Sequence, residues 1–414
     1  MIQMKMISKR FGKINPLSIE SYIQAEGYKG LDKAITLHST RIIDEIEKSR
    51  IRGRGGAGFP THIKVRALSK QSGDKYIVCN ADEGEPGNFK DRMLLENDPH
   101  AVIEGMIILA YATGANKGYI YIRGEYQNAM KIIKATIKAA EEKGLLGSNI
   151  LNKSFDFNIE VRSGAGSYVC GEEFSMIESI EGKPGRSRIK PPFPTEKGIH
   201  GKPTLINNVE TFANFPHIIL MGGDEFAKIG TPSSTGTKLI SLSGNVKNKG
   251  LYEVPFGTSI RDVIFKLGKG VKNNRPIKMV QLGGASGPII PEYMLDMSID
   301  FDRFENFASK TGTGAIIVID DRFDLFDILL TDMKFFVHQS CGKCAPCREG
   351  HTQVVNLLNK FINHRATEKD LMSLEGLANV IQQTSLCGLG QTSMTAILTS
   401  LRYFRDDYFS KVRY

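Results

Sequence analysis

The chain has 414 residues, of which 41% are hydrophobic and 24% are charged, as in an ordinary globular protein of two or three domains with a large core. Its formal net charge of +9 is spread along the sequence rather than gathered into one stripe, which argues against nucleic-acid binding. No apolar run approaches the roughly 18 residues that span a bilayer, and the N-terminus lacks the apolar segment of a secretory signal, so we expect a soluble, cytoplasmic protein without direct membrane insertion.

Short β-rich runs alternate with helical periodicity in the first half of the chain. The predicted strands are Lys75–Asn80, Gly118–Ile122 and Phe155–Arg162, and the predicted helices between them are Ala101–Thr113 and Tyr126–Lys143. This alternation predicts a parallel sheet with crossover helices, whose ligands bind beyond the carboxyl ends of the strands. We therefore predict an α/β, Rossmann-like domain over residues 1–232, which begins with a helical segment.

Two further regions follow. Residues 230–237 are polar and rich in turn formers, as in a linker. Beyond them, four predicted strands and one amphipathic helix indicate a small α+β domain over residues 236–320. From Phe323 onward the pattern is helical throughout, which predicts a helical bundle over residues 323–414.

A glycine-rich segment at residues 53–60, GRGGAGFP, is the first candidate binding motif. It satisfies G-x-G-x-x-G, but a helix is predicted before it where the dinucleotide fingerprint requires a strand, so we reject an ordinary Rossmann fingerprint. Glycines still allow backbone N–H groups to approach a phosphate or a flat ring. The alternative is a flexible surface loop.

Two more motifs directly follow predicted strands. NADEGEPG at residues 80–87 carries three carboxylates, which could bind a metal, accept hydrogen bonds from ribose or a polar ring, or form a solvated turn. SGAGSYVCGEE at residues 163–173 opens a helix, whose free N–H groups could bind an anion, although its glutamates could simply complement the helix dipole. Downstream, residues 188–194 and 207–211 add cations, an aromatic ring and an amide pair.

Four cysteines near the C-terminus form the most specific pattern: Cys341, Cys344, Cys347 and, forty residues later, Cys387. Three thiols at steps of three with a remote fourth are typical of a 4Fe-4S cluster, whereas structural zinc more often takes two separated pairs. Zinc and a set of unliganded thiols remain as alternatives. Cys79 and Cys170 stand apart beside apolar runs, and we expect them to be buried core residues.

Together these motifs resemble the NADH- and FMN-binding flavoprotein subunit of respiratory complex I and its relatives in soluble NAD-linked hydrogenases, including electron-bifurcating ones, and in formate dehydrogenases. The resemblance covers nearly the whole chain, in the family's order. The segments that carry it are RGRGGAGFPT at 52–61, CNADEGEPG at 79–87, GAGSYVCGEE at 164–173, KPPFP at 190–194, NNVET at 207–211 and SCGKCAPCREG at 340–350. It implies a β-grasp-like second domain and an iron-sulfur-bearing third domain.

The resemblance also implies the ligands of three cofactors. The implied FMN contacts are Gly53, Gly55, Gly56, Lys64, Asn80, Asp82, Glu83, Tyr168, Gly171, Glu172, Asn207, Asn208 and Thr211. For NADH, they are the rings of Phe59 and Phe193, the acceptors Glu85 and Glu173, and the cation Lys190, with Thr313 as a looser match. The 4Fe-4S cluster is assigned to Cys341, Cys344, Cys347 and Cys387. No catalytic side chain is expected, because hydride transfer here needs positioning.

The implied activity is that of an NADH dehydrogenase, or diaphorase, subunit, which transfers electrons from NADH through FMN to the cluster and on to partner subunits. These partners include other iron-sulfur subunits, among them a thioredoxin-like 2Fe-2S subunit. Since the chain lacks appended ferredoxin-like cysteine motifs, we favour a complex I-like assembly. A soluble bifurcating hydrogenase or formate dehydrogenase is the alternative, and a non-catalytic, metal-stabilised scaffold is the alternative of another class.

Three details bear on this assignment. Phe174 and Ser175 stand where a smaller Thr-Ala pair is expected, and Gln339 replaces an acidic residue before the first cluster cysteine, which could shift the potential of the cluster slightly. Carboxylates of Glu85 or Glu173 near the ribose would repel a 2′-phosphate, so we expect a preference for NADH over NADPH.

Overall fold

The first half of the chain forms a four-stranded, all-parallel sheet. The computed structural model describes residues 2–305 and 312–413. In it the strands β1 (Tyr76–Ala81), β2 (Lys117–Ile122), β3 (Asn158–Ser163) and β4 (Thr204–Asn208) lie in the order β3-β2-β1-β4. The first three strands confirm the predicted alternation. The sequence pattern does not predict β4, because its short polar sequence TLINN carries no clear strand signal.

Ten helices belong to this part of the described chain. They are α1 (Ile19–Gln24), α2 (Lys29–Ala34), α3 (Ser39–Lys48), α4 (Thr61–Ser69), α5 (Lys90–Asn97), α6 (Pro99–Thr113), α7 (Gln127–Glu142), α8 (Glu173–Ile180), α9 (Val209–Met221) and α10 (Gly223–Phe226). Side chains of β1 alternate between two hydrophobic clusters, so that Ile77 and Cys79 pack on one face and Val78 on the other. A parallel sheet covered on both faces keeps its backbone groups away from water.

A second sheet of five strands follows. Its strands are β5 (Thr237–Gly244), β6 (Gly250–Pro255), β7 (Ile277–Leu282), β8 (Ile289–Ile290) and β9 (Ala315–Asp320), in the order β6-β5-β9-β7-β8. Among the strand pairs of the described residues in this sheet, β5–β9 is parallel and the other three are antiparallel. The predicted helix over 259–267 is a short helix, α11 (Ile260–Asp262), continued by a π-helical turn (Val263–Leu267), and α12 (Phe301–Glu305) comes later.

The second half of the segment predicted as a linker is packed, whereas Gly230 and Pro232 in its first half are exposed. Ser234 and Thr235 are wholly buried, the hydroxyl of Thr235 donates to the Ser49 carbonyl, and β5 begins at Thr237. The N-terminal segment also contacts the second sheet, because the Glu253 carboxylate accepts hydrogen bonds from the backbone of residues 6–8. The first two regions are therefore joined by buried polar contacts.

The C-terminal region is helical, as predicted. It consists of α13 (Leu325–Gln339), α14 (Ala345–Ile362), α15 (Glu368–Thr384), α16 (Gly388–Thr392), α17 (Thr395–Tyr403) and α18 (Arg405–Phe409). Its apolar faces form one hydrophobic cluster with α8 and with the adjacent face of the parallel sheet. Among the helices of the described residues, none combines the length and the apolar character that crossing a bilayer requires.

Candidate functional site

Two adjoining cavities lie where the parallel strands end. The inner cavity is about 410 Å³ and the outer about 1060 Å³, and they share part of their lining, so they are adjacent. Asn80, near the end of β1, and Asn208, at the end of β4, line both. This is the edge at which an open parallel sheet is expected to bind ligands.

Every cofactor-contact residue predicted from the sequence, other than the four cysteines, lines one or both of these cavities. The inner cavity is lined by Gly55, Gly56, Asn80, Asp82, Glu83, Glu85, Tyr168, Gly171, Glu172, Asn208 and Thr313. The outer cavity shares several of these and adds Gly53, Phe59, Lys64, Glu173, Lys190, Phe193, Asn207 and Thr211. The motifs, far apart in sequence, are thus brought together.

Other lining residues carried no signal in the sequence. Ser286 reaches the inner cavity from the region of the second sheet, and Gly388, Leu389 and Gln391 reach it from α16. The outer end is lined by Ala67, Lys70 and Gln71. Only the proximity of Cys387 to α16 in sequence could have pointed to that helix.

The glycine-rich segment forms a tight loop at the cavity. The Gly53 N–H donates to the Phe59 carbonyl at 2.9 Å, which closes the loop. Gly56 has a φ of +116°, which only glycine adopts readily. A Cβ on Gly55 would lie 3.1 Å from Cβ of Asn208. At Gly53, Gly55 and Gly56 the loop therefore presents backbone to the cavity.

Several buried polar atoms at the cavity have no protein partner within residues 2–305 and 312–413. They are both carboxylate oxygens of Asp82, Nδ2 of Asn88, Nδ2 of Asn207 and Oγ1 of Thr313. Burial raises the pKa of Asp82 to about 7, although the Arg123 guanidinium opposes the shift. Because unpaired buried polar atoms are costly, these groups suit a polar ligand.

Two of the predicted carboxylates cap helices. Glu83 accepts hydrogen bonds from the backbone N–H groups of Asp91 and Arg92 at the start of α5, and burial raises its pKa to about 7. Glu172 accepts hydrogen bonds from the first N–H groups of α8. Glu83 and Glu172 therefore stabilise the starts of α5 and α8 through hydrogen bonds within the protein itself.

Glu85 joins three parts of the chain. Its carboxylate accepts hydrogen bonds from the Tyr168 hydroxyl at 2.6 Å and from the Ser286 N–H and hydroxyl at 3.0 and 2.9 Å. Burial raises the pKa of Glu85, although these hydrogen bonds oppose the shift. Glu85 thus links the segments that follow β1, β3 and β7 at the wall of the inner cavity.

The outer cavity has an ion triad and two exposed rings. Glu173 pairs with both Lys64 and Lys190. Burial alone would raise the pKa of Glu173, but the two ammonium groups more than offset this and lower it. The rings of Phe59 and Phe193 are 44% and 52% exposed, so large apolar surfaces remain available at the cavity wall.

A buried ion network lies beneath the cavity. The Lys90 ammonium contacts Asp91 at 2.6 Å, Glu210 at 3.1 Å and Oδ1 of Asn208 at 2.9 Å. Asp91 also accepts a hydrogen bond from Nδ2 of Asn208, and Glu210 pairs with Lys238 on β5. The network fixes the amide of Asn208 and connects the first sheet with the second. Burial lowers the pKa of Lys238 to about 8, partly offset by Glu210.

The four C-terminal cysteines surround one pocket. Cys344 and Cys347 lie at the start of α14, where a proline is tolerated as the second helical residue, and Cys387 directly precedes α16. A ring of thiols around a pocket suits a multi-atom cluster better than zinc. Cys79 and Cys170 are buried, as expected.

Burial raises the pKa of Cys347 to about 11. The Ser340 hydroxyl, 3.2 Å from the sulfur, opposes this shift but does not cancel it. Burial also raises the pKa of Cys387, and the backbone N–H groups of Leu389 and Gly390 oppose that shift. These hydroxyl and N–H donors would stabilise thiolates, which are the form that binds iron.

The cysteine pocket and the inner cavity share a wall. Val169, in the 3-10 turn Tyr168–Gly171, and Leu389, in α16, line both spaces. Both side chains are apolar and almost completely buried. A ligand in the inner cavity and a group held by the cysteines would therefore both lie against these two side chains.

The sequence is similar to proteins of known families. Residues 46–217 match the family model for the Nuo51 FMN-binding domain, and residues 327–411, with all four C-terminal cysteines, match that for the NADH-ubiquinone oxidoreductase-F iron-sulfur binding region. The NADP-reducing hydrogenase subunit HndC of Solidesulfovibrio fructosivorans is 45% identical over 99% of this chain and 84% of its own length. The F subunit of the NADH-quinone oxidoreductase of Aquifex aeolicus is 44% identical over 98% of this chain and 94% of its own length.

A solved structure is also similar. One chain of an NAD+-reducing NiFe-hydrogenase in the H2-reduced state matches with a TM-score of 0.86 at 32% sequence identity. The match covers 99% of this chain and 67% of that chain. The mixed α/β fold with its parallel sheet and helical C-terminal region is therefore shared with that hydrogenase chain.

Proposed function

Because the chain belongs to the family of FMN-binding subunits of NADH-quinone oxidoreductases and related hydrogenases, we propose an assignment of its FMN, NADH and cluster sites to individual residues. The chain is an NADH-oxidising oxidoreductase subunit with FMN and a 4Fe-4S cluster. One observation carries the assignment: the cavity lined by the predicted contact residues shares the wall of Val169 and Leu389 with the cysteine pocket.

We assign the inner cavity and its opening to FMN. The residues fit such a group, since the glycine loop leaves room for close backbone approach and the unpaired atoms of Asp82 and Asn207 offer an acceptor and a donor. The proposed contacts are Gly53, Gly55, Gly56, Lys64, Asn80, Asp82, Glu83, Tyr168, Gly171, Glu172, Asn207, Asn208 and Thr211. The carboxylate of Glu83 and the amide of Asn208 already bind protein groups, so we give them a supporting role.

We assign the outer cavity to NADH. Phe59 and Phe193 offer rings for its bases, and Lys190 offers a cation. Glu173 in the outer cavity and Glu85 in the adjoining inner cavity are the candidate acceptors for its hydroxyl groups. Since Lys64 and Lys190 neutralise Glu173, the repulsion of a 2′-phosphate falls mainly to Glu85. We therefore propose NADH preference, which comparable turnover with NADPH would contradict.

The chain contributes binding and orientation. FMN, when bound, supplies the conversion between a two-electron hydride donor and a one-electron cluster. The side chains that line the cavities would hold the nucleotide rings, the Glu85–Tyr168–Ser286 hydrogen bonds fix part of the wall of the inner cavity, and Cys341, Cys344, Cys347 and Cys387 would hold the cluster. Such positioning is what a hydride transfer requires from a protein.

We further propose three domains: a Rossmann-like one over residues 1–232, a β-grasp-like one over 236–320 and an iron-sulfur domain over 323–414. The clustered thiols favour a reducing compartment, so we propose a cytoplasmic location, in a complex I-like assembly with a thioredoxin-like 2Fe-2S subunit. The 45% identity to a hydrogenase subunit favours a second candidate, a soluble hydrogenase.

Anaerobic purification of the native assembly tests these assignments. We expect about one FMN and at least four irons per chain, NADH-dependent reduction of an artificial one-electron acceptor, and partner chains that distinguish the two candidate assemblies. The FMN site is tested by the FMN affinity of the Asp82→Asn variant. Asp327→Asn, an exposed change on α13, is the matched control. Equal FMN affinity in both would contradict the role of Asp82.

A further inference from the structure

A buried histidine contacts the most buried of the four cluster cysteines. His351 lies one helical turn after Cys347 on α14, and its side chain is inaccessible to solvent. Its Nδ1 lies 3.8 Å from Sγ of Cys347, and its Nε2 lies 2.8 Å from Oγ of Ser393. The ring therefore bridges a cluster sulfur and a hydroxyl on the segment that follows Cys387.

The number of protons on the Ser393 hydroxyl and on the neutral His351 ring limits which atom can donate in each of these contacts. Oγ of Ser393 also lies 2.9 Å from the Gly390 carbonyl, and a hydroxyl has one proton to donate. If that proton goes to the carbonyl, Nε2 must carry the ring proton and Nδ1 can only accept. If it goes to Nε2, Nδ1 carries the ring proton and can donate to the sulfur.

The two arrangements differ in whether Nδ1 carries a proton, and a cluster-bound Cys347 favours the one in which it does. A ligating sulfur is a thiolate and has no proton to give, so Nδ1 without a proton would face it lone pair to lone pair. The arrangement with Nδ1–H toward Sγ and the Ser393 hydroxyl toward Nε2 satisfies all three atoms.

We propose that His351 is a positioning residue of the cluster, which donates an Nδ1–H···S hydrogen bond to Cys347 in the tautomer that Ser393 fixes, and so raises the midpoint potential of the cluster. The inference rests on the proposed assignment of the cysteines to a 4Fe-4S cluster. Hydrogen bonds to cluster sulfurs stabilise the more negative, reduced state. The second contact of the ring fixes its tautomer, as in other metal sites.

The surroundings support a polar role for this ring. The Phe336 ring lies 5.9 Å from the His351 ring, and Gly350, the preceding residue, packs against Ile381. In these apolar surroundings an apolar side chain would avoid the cost of burying two nitrogen atoms, so the presence of histidine indicates a polar role. Ser340 places a hydroxyl 3.2 Å from the same sulfur, so two side-chain donors converge on Cys347. The Phe336 carbonyl is the competing acceptor for the ring proton.

Redox titration of the cluster, followed by electron paramagnetic resonance in the whole protein, tests the inference. His351→Leu removes the donor, and we expect a more negative midpoint potential with unchanged iron and sulfide content. His351→Asn keeps an N–H at the position of Nδ1, and its potential should lie closer to that of the unmodified protein. Ser393→Ala should give a smaller negative shift than His351→Leu, and His338→Leu, an exposed change on α13, should give none.

A spectroscopic measurement covers the case in which His351→Leu cannot assemble the cluster. In protein labelled with 15N-histidine, pulsed electron paramagnetic resonance should detect a coupling between the reduced cluster and a histidine nitrogen. We expect Ser393→Ala to weaken this coupling. No coupling in the unmodified protein, or a fully loaded His351→Leu cluster with unchanged potential, would overturn the inference. Absence of any 4Fe-4S signal in the unmodified protein would instead contradict the proposed function.

Discussion

The side-chain oxygen of Gln339 accepts a hydrogen bond from the backbone N–H of Tyr168 at 2.7 Å. Gln339 ends α13, two residues before Cys341, and Tyr168 lines the inner cavity. The contact therefore joins the segment that carries the cluster cysteines to the nucleotide cavity. It also explains why an amide is tolerated where an acidic residue was expected, because an amide oxygen accepts the same hydrogen bond without the charge.

The neutrality of Gln339 should affect the potential of the cluster. Gln339→Glu keeps the acceptor and adds a negative charge close to the cysteines, which disfavours the more negative reduced cluster. We expect a lower midpoint potential in a redox titration, with an unchanged FMN content. Gln353→Glu, an exposed change on α14, is the matched control. Equal potentials in the two variants would contradict the electrostatic argument.

The exposed rings at the outer cavity should contribute to NADH binding. Phe193→Ala removes a stacking surface worth about 0.5–1.5 kcal/mol, so we expect KM for NADH to rise by a factor of roughly 2 to 12 with little change in kcat. Steady-state kinetics with an artificial acceptor measures this. Phe323 is exposed to a similar extent but lies outside the cavity, so Phe323→Ala should leave KM unchanged.

The buried ion network should be sensitive to the loss of one partner. Lys238→Met removes one of the two ammonium groups that pair with the buried Glu210 and leaves the pair with Lys90, and removing one member of a buried pair typically costs about 3–5 kcal/mol. We expect a marked fall in the denaturation midpoint. The double change of Lys238→Met with Glu210→Gln should recover part of the loss, and a double variant as unstable as the single one would argue against the pairing.

Asp332 should make stability depend on pH. Burial raises its pKa to about 8, although a hydrogen bond from Gln281 opposes the shift. A carboxyl whose pKa is higher in the folded than in the unfolded chain binds more protons when folded, so its contribution to stability falls as pH rises from about 4 to about 8.

Asp332→Asn keeps an acceptor for Gln281 and removes this titration. We expect its thermal midpoint to decline less than that of the unmodified protein between pH 5 and pH 8. Asp327→Asn, an exposed change on the same helix, should leave the decline as it was. Parallel pH profiles for the Asp332→Asn variant and the unmodified protein would show that the carboxyl is ionised at lower pH than its burial implies.

The sequence predicted the parts of the site that depend on local pattern. The motifs at residues 80–87 and 163–173 follow strands with clear apolar runs, and parallel strands bring their carboxyl ends to one edge. The helical C-terminal region followed from its periodicity. In each case residues close in sequence determine the outcome.

Other features depend on packing between distant segments. The polar composition of residues 230–237 predicted a linker, but partners such as Arg54 and Ser49 bury its second half. The contribution of α16 to the cavity arises from tertiary structure alone. Phe174, which stood out as large for its position, is buried under the guanidinium of Arg188, a contact that no local pattern reveals.

Val169 and Leu389 line both the inner cavity and the cysteine pocket, which implies direct electron transfer between the two sites. The most direct test is anaerobic titration of the purified protein with NADH, with absorbance and electron paramagnetic resonance recorded together. We predict that substoichiometric NADH bleaches the flavin absorbance and produces the signal of a reduced 4Fe-4S cluster in the same sample. A flavin that bleaches while the cluster stays oxidised, in protein whose cluster dithionite can reduce, would contradict direct electron transfer between the two sites.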